Sequence, residues 1–156
     1  MRGIFAAAVW AAALGCSEGG PTQPGPGPGG SPDLDPTVVA FVDAMNEHRV
    51  GEGCGALSWD AGVAAVAQAH SEDMVARGYF SHTNPEGQSP GDRLREVGIS
   101  FTGWAENIAF GYGTGEAVLT AWLNSSGHRA NIENCSLTHH GVGLEGTHWT
   151  HVFVRR

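Results

Sequence analysis

Between Pro36 and Asn124, apolar residues recur at helical spacing in four separate stretches. Pro36 to Arg49 carries Val38, Val39, Phe41, Val42 and Met45 on one face, and Gly51 and Gly53 close the run. Ser58 reads as the N-cap of a second helix, whose stripe is Trp59, Val63, Val66, Ala67, His70 and Met74 and whose stop is Gly78. A third, short helix is predicted over Pro90 to Val97, ending at Gly98. A fourth covers Glu116 to Asn124 and holds Val118, Leu119 and Trp122. The pattern then changes. A strand is expected over Ala105 to Phe110, and a terminal hairpin runs from Gly141 to Leu144, turns at Gly146 and returns through Thr147 to Val154. Several helices with a small antiparallel sheet make an α+β domain, expected to layer as helix, sheet, helix.

Residues 1–32 break this pattern. Arg2 precedes an unbroken apolar and small run from Ile4 to Leu14, too short to span a bilayer but suited to a signal-peptide core. It ends in Ala13-Leu14-Gly15-Cys16, which resembles a bacterial lipobox, whose cysteine becomes the lipidated first residue of the mature chain. The alternative is an ordinary signal peptide cleaved nearby, with Cys16 incidental. Residues 17–32 interleave glycines with Pro21, Pro24, Pro26, Pro28 and Pro32. Such a stretch cannot bury apolar surface, and at ~3.1 Å per residue it would reach at most about 50 Å, a tether between lipid and domain. The expected organisation is therefore a leader over 1–15, a lipidated Cys16 and linker over 16–32, and one domain over 33–156. That places the protein outside the cytoplasm, anchored to the membrane of a bacterial cell envelope.

Composition adds two constraints. The formal net charge is −8 with no run of Lys or Arg, which argues against nucleic acid as a partner. Three cysteines leave one over; if Cys16 carries lipid, Cys54 and Cys135 remain to pair in an oxidising compartment. Two free buried thiols are the alternative.

From Leu57 to Val154 the chain resembles the CAP superfamily of cysteine-rich secretory, antigen 5 and pathogenesis-related proteins, in its bacterial SCP-like form. Four stretches carry the resemblance. Ala69-His70-Ser71-Glu72-Asp73-Met74 is followed by Tyr79-Phe80-Ser81-His82-Thr83. Ala105-Glu106-Asn107-Ile108 comes next, then Ala121-Trp122 through Ser126-Gly127-His128-Arg129-Ala130-Asn131-Ile132. Gly141-Val142-Gly143 with His148-Trp149-Thr150-His151-Val152-Phe153 is the last. The resemblance implies an α-β-α sandwich and a cleft of two histidines and two glutamates that in many members takes a divalent cation. Position by position it implies His82, Glu106 and His148. Ser125 stands where the second glutamate is expected.

Two imidazoles and a carboxylate suit zinc or a similar ion, leaving positions open to water; the divalent cation expected in the cleft is zinc or calcium. Such an ion could activate water for hydrolysis. No locally spaced ligand pair fixes the three residues, so their meeting depends on the fold. His128 has two readings: loop residues satisfying a helix end that closes at Gly127, or a cleft histidine beside His82 that compensates for Ser125. Asn107 and Ser125 are further cleft candidates. His70 lies on an apolar stripe and reads as a core histidine. His148 and His151 differ by an odd number, so a regular strand sends them to opposite faces. His151 is therefore left out of the site, with His139 and His140, which read as loop. Trp104, Trp122, Trp149, Phe101 and Phe110 could line an apolar groove, although aromatics in a small domain are more often core. The expected function is an envelope binding or interaction module for an unidentified ligand, lipid or protein. The alternative is a metal-dependent hydrolase of envelope peptide, glycan or lipid. No serine-nucleophile elbow occurs.

Overall fold

The computed structural model describes residues 34–156; the leader, Cys16 and the Pro/Gly stretch lie outside the described residues. In chain order the elements are α1 (Pro36–Gly51), β1 (Ser58–Trp59), α2 (Ala61–Arg77), α3 (Pro90–Glu96), β2 (Gly103–Phe110), α4 (Gly115–Leu123), α5 (Ser126–Ile132), β3 (His139–Glu145) and β4 (His148–Arg155). Each long helix starts where local chemistry satisfies its free amides. Asp35 accepts from the Thr37 amide ahead of Pro36, Asp60 from Val63 and Thr114 from Ala117. Ser89 and Asp92 form a reciprocal capping box on α3. Gly78 ends α2 in the left-handed conformation, φ 66°.

Two elements differ from the sequence expectation. Ser58 does not cap α2; Ser58 and Trp59 form β1, paired in parallel with His139 and His140, and Asp60 takes over the cap. His139 and His140 are accordingly strand residues, not loop. Gly127 does not end a helix either: α4 ends at Leu123 and a new helix, α5, begins at Ser126.

The sheet order is β1-β3-β4-β2. The three long strands are antiparallel as expected, and β1 makes the sheet mixed. Helices cover both faces. Against one face, Val63, Val66 and Ala67 of α2 and Leu94 of α3 pack on Val152 and Val154. Against the other, Phe41 and Met45 of α1, Trp122 of α4 and Ile132 of α5 pack on Trp149 and Phe153. This is the expected α-β-α sandwich. The contact of α2 with β3 is unusually close because Gly141 and Gly143 present bare backbone to it: a Cβ on Gly141 would lie 2.1 Å from the Ala64 nitrogen, and one on Gly143 2.3 Å from the Gln68 nitrogen. Gln68 then clasps Leu144, accepting from its amide and donating to its carbonyl.

Cys54 and Cys135 are bonded, as the cysteine arithmetic anticipated, and tie the segment after α1 to the segment after α5 across 81 positions. Beside this staple the Arg49 guanidinium is buried and donates to the carbonyls of Gly55, Ile132, Asn134 and Leu137. At the far edge of the sheet, Trp122 Nε1 donates to the Ile108 carbonyl and Asn131 Nδ2 to that of Glu106, each at 3.3 Å. Among the described residues no helix is long and apolar enough to cross a membrane.

Candidate functional site

Strand β2 supplies the first site residue. Its even-numbered positions pair with even positions of β4, Glu106 opposite Val152, and these face α2 and α3. Glu106 is buried, with 1% of its side chain exposed, and both carboxylate oxygens are engaged. Oε1 lies 2.8 Å from His82 Nδ1, and Oε2 accepts from Arg93 Nη2 at 2.7 Å. Arg93 projects inward from α3 and also donates to the carbonyls of His82 and Gln88. One arginine thus neutralises the buried carboxylate and braces the loop that carries His82.

His82 is half-exposed, and its bond to Glu106 has a chemical consequence. With Nδ1 held at the carboxylate, the imidazole presents Nε2 to solvent. A carboxylate behind a histidine in this way fixes the ring's orientation and its tautomer toward an ion or a ligand. Across the outer edge of β2 stands His128, in the first turn of α5. Burial, and then the nearby His82, push the His128 pKa below its ordinary value, so it is neutral at pH 7. Asn107 faces the opposite side of β2 from Glu106. Its Nδ2 donates to the His128 carbonyl at 3.1 Å and its Oδ1 accepts from Asn131 at 2.8 Å, so it holds α5 in place. Ser125 is the N-cap residue of α5, without a capping bond from its side chain.

His148 stands apart from this group. It is on the same sheet face as Glu106 but pairs with Phe110, four positions along the strand, about 13 Å at the usual rise. Its ring packs 4.4 Å from Phe110 and 6.4 Å from Phe80. Phe80 and Phe110 are 50% and 59% exposed, so the three rings make an aromatic shelf that begins two residues before His82. The expected trio therefore divides: His82 and Glu106 touch, His128 lies beside them, and His148 belongs to the shelf. Of the other aromatics, Trp122 and Trp149 are core and Trp104 is partly exposed.

His151 lies on the opposite face, as strand alternation required, fully buried against Phe41, Trp122 and Phe153. There it meets His140, Nδ1 to Nε2 at 3.0 Å. The outer nitrogens of this pair, His140 Nε2 and His151 Nδ1, have no hydrogen-bond partner among the described residues. His70 is buried and bonded to the Ser81 carbonyl, the core role expected of it.

Arg93 was missed in the sequence, although a signal existed. On α3 the inward positions are Pro90, Arg93 and Leu94, and an arginine on an inward stripe demands a buried acid. In the aromatic shelf, His148 and Phe110 are candidates of the sequence, whereas Phe80 carries no comparable signal.

Known proteins share this outline. The family model for the cysteine-rich secretory protein family, CAP, matches residues 42–154. An uncharacterized membrane protein of Bacillus subtilis, YlbC, is 43% identical over 116 residues, 74% of this chain and 34% of its own length. An extracellular protein containing an SCP domain from Bacillus anthracis has a solved structure that superposes with a TM-score of 0.73 at 36% identity, covering 81% of this chain and 45% of that one. An outer surface protein of Borrelia burgdorferi shares the fold at a TM-score of 0.74 and 22% identity, over 82% and 98% of the two chains. The chain thus spans a third to a half of the Bacillus relatives it matches.

Proposed function

The chain belongs to the cysteine-rich secretory protein family, and from that premise we propose that it is an exported, envelope-anchored binding module, not a hydrolase. The observation that carries this is the state of Glu106. Its two oxygens bond His82 and Arg93 and only 1% of its side chain is exposed, so it is withdrawn from any substrate or ion-bound water in the cleft. A general base has to reach the proton it removes. What the cleft offers instead is a recognition surface: the exposed rings of Phe80 and Phe110 with the half-buried ring of His148 for a flat apolar face, and the polar edge of His82 for a hydrogen bond. A divalent cation, zinc being the best match, would be held by His82 Nε2 and His128, with Glu106 orienting the first imidazole from behind.

The binding reading is tested by co-sedimentation with isolated bacterial envelopes. The double change Phe80→Ala with Phe110→Ala should lower binding at least about ten-fold, since aromatic anchors dominate such surfaces. Undiminished binding by this variant would sink the shelf as the recognition surface. Zinc-dependent turnover of envelope peptide, glycan or ester, lost in His82→Ala, would establish the hydrolase in its place.

Export is supported by the relative named as extracellular, and membrane attachment by the relative named as a membrane protein and by the lipobox-like run ending at Cys16. Cys16→Ser should move the protein from the membrane fraction to the soluble one or leave its leader uncleaved. A processed Cys16→Ser protein that still partitions with membranes would refute the lipid anchor.

A further inference from the structure

Away from the cleft, the C-terminal ends of α1 and α5 meet, and the chain repeats a short pattern there. Glu52-Gly53-Cys54 follows α1, and Glu133-Asn134-Cys135 follows α5. The Cys54–Cys135 bond holds the two segments with their Cα atoms 4.9 Å apart, so each glutamate is fixed two residues from the same staple. His48, in the last turn of α1, completes the group. Its Nε2 is 2.9 Å from Glu133 Oε1, and one ligand atom from each of His48, Glu52 and Glu133 lies within 4.8 Å of the other two.

We infer that His48, Glu52 and Glu133 form a divalent-cation site, suited to zinc, that bridges the ends of α1 and α5. One imidazole nitrogen and two carboxylate oxygens are a donor set that zinc accepts, with a water in the fourth place. Tetrahedral zinc at ~2.1 Å sets its ligands roughly 3.4 Å apart. The three atoms need side-chain shifts of about an ångström to meet that, and the half-buried and exposed positions leave room for them. The charge balance also favours an ion. Two carboxylates converge where two helices present their negative ends, and among the described residues neither has a Lys or Arg partner. Arg49, the nearest guanidinium in sequence, is occupied by backbone carbonyls. The ion would brace the junction the disulfide already ties, and it owes nothing to His82, Glu106 or His128.

The test is zinc titration of the full chain by calorimetry, together with NMR of the histidine ring signals. Zinc should perturb the His48 ring and raise the melting temperature, because it binds only the folded state. Glu52→Gln, at an exposed position, should keep the zinc-free melting temperature and weaken binding several-fold; His48→Ala should weaken it at least about ten-fold. The pair His82→Ala with His128→Ala should leave this event unchanged. Zinc shifts confined to His82 and His128, affinity unaltered in His48→Ala, or no binding at about 1 mM zinc would each overturn the site.

Discussion

Gly141→Ala should abolish or nearly abolish stable folding. The new Cβ would sit 2.1 Å from the Ala64 nitrogen and 2.4 Å from its Cα, atoms of helix backbone that no rotamer change can move. Relief requires α2 to lift off β3, and with it Val63, Val66 and Ala67 off Val152 and Val154. Overpacking of ordinary side chains costs about 1–3 kcal/mol. A backbone-on-backbone collision that reopens one half of the core should cost more, about 4–5 kcal/mol, a large part of the stability of a domain this size. Gly143→Ala meets the backbone at Gln68 in the same way and also threatens the Ser71 bond to the Gly143 carbonyl. Gly113→Ala, where nothing lies within 4 Å, is the control. Circular dichroism melting checks the set, and a Gly141→Ala protein melting within a few degrees of wild type would refute the close contact.

Acid should weaken the fold well before the carboxylates titrate. His140 is pushed down to about 3 by burial, with Arg49 and His139 adding to it; His151 is pushed well below its ordinary value by burial, then by His140 and Arg49. Both are neutral in the native protein at pH 6, whereas the unfolded chain takes up a proton at each near pH 6.5. Where the unfolded state binds more protons, stability rises with pH, so it falls as the pH drops. The contribution is intact above about pH 6.5 and is lost progressively down to about pH 3, where native His140 protonates as well. Each histidine contributes a slope of roughly 1.4 kcal/mol per pH unit, so two units of acid should remove on the order of 5 kcal/mol. Urea unfolding between pH 7 and 4.5 measures this. His151→Phe should flatten the slope by about one proton; a wild-type slope near zero from pH 6.5 to 5 would refute the neutral pair.

Much of this molecule was legible in its apolar periodicity and much was not, for reasons visible in particular residues. Helices α1 to α4 announced themselves because each turns an apolar stripe inward and has a capping or breaking residue near its ends. Helix α5 did not, since Ile132 is its one buried residue and no stripe forms over Ser126–Ile132. Strand β1 escaped because two residues carry no period at all. His82 and Glu106 were named from local motifs, yet their contact spans 24 positions and depends on Arg93, a third partner that only the packing of α3 on β2 supplies. The His140–His151 pair was hidden for the opposite reason. Strand parity sent His151 away from the cleft correctly, but parity is silent about what waits on the other side.

The two side-chain bonds at the rim of β2 bear on how this protein behaves in a crowd. Strand β2 is the outermost long strand of the sheet, and a bare outer strand is a template on which another chain can add. Carbonyls two apart on a strand point the same way, and those of Glu106 and Ile108, turned outward, are already taken by Asn131 and Trp122. A visiting strand would find its acceptors occupied and α5 in its path. The middle of this strand is therefore closed to edge-to-edge addition of another copy.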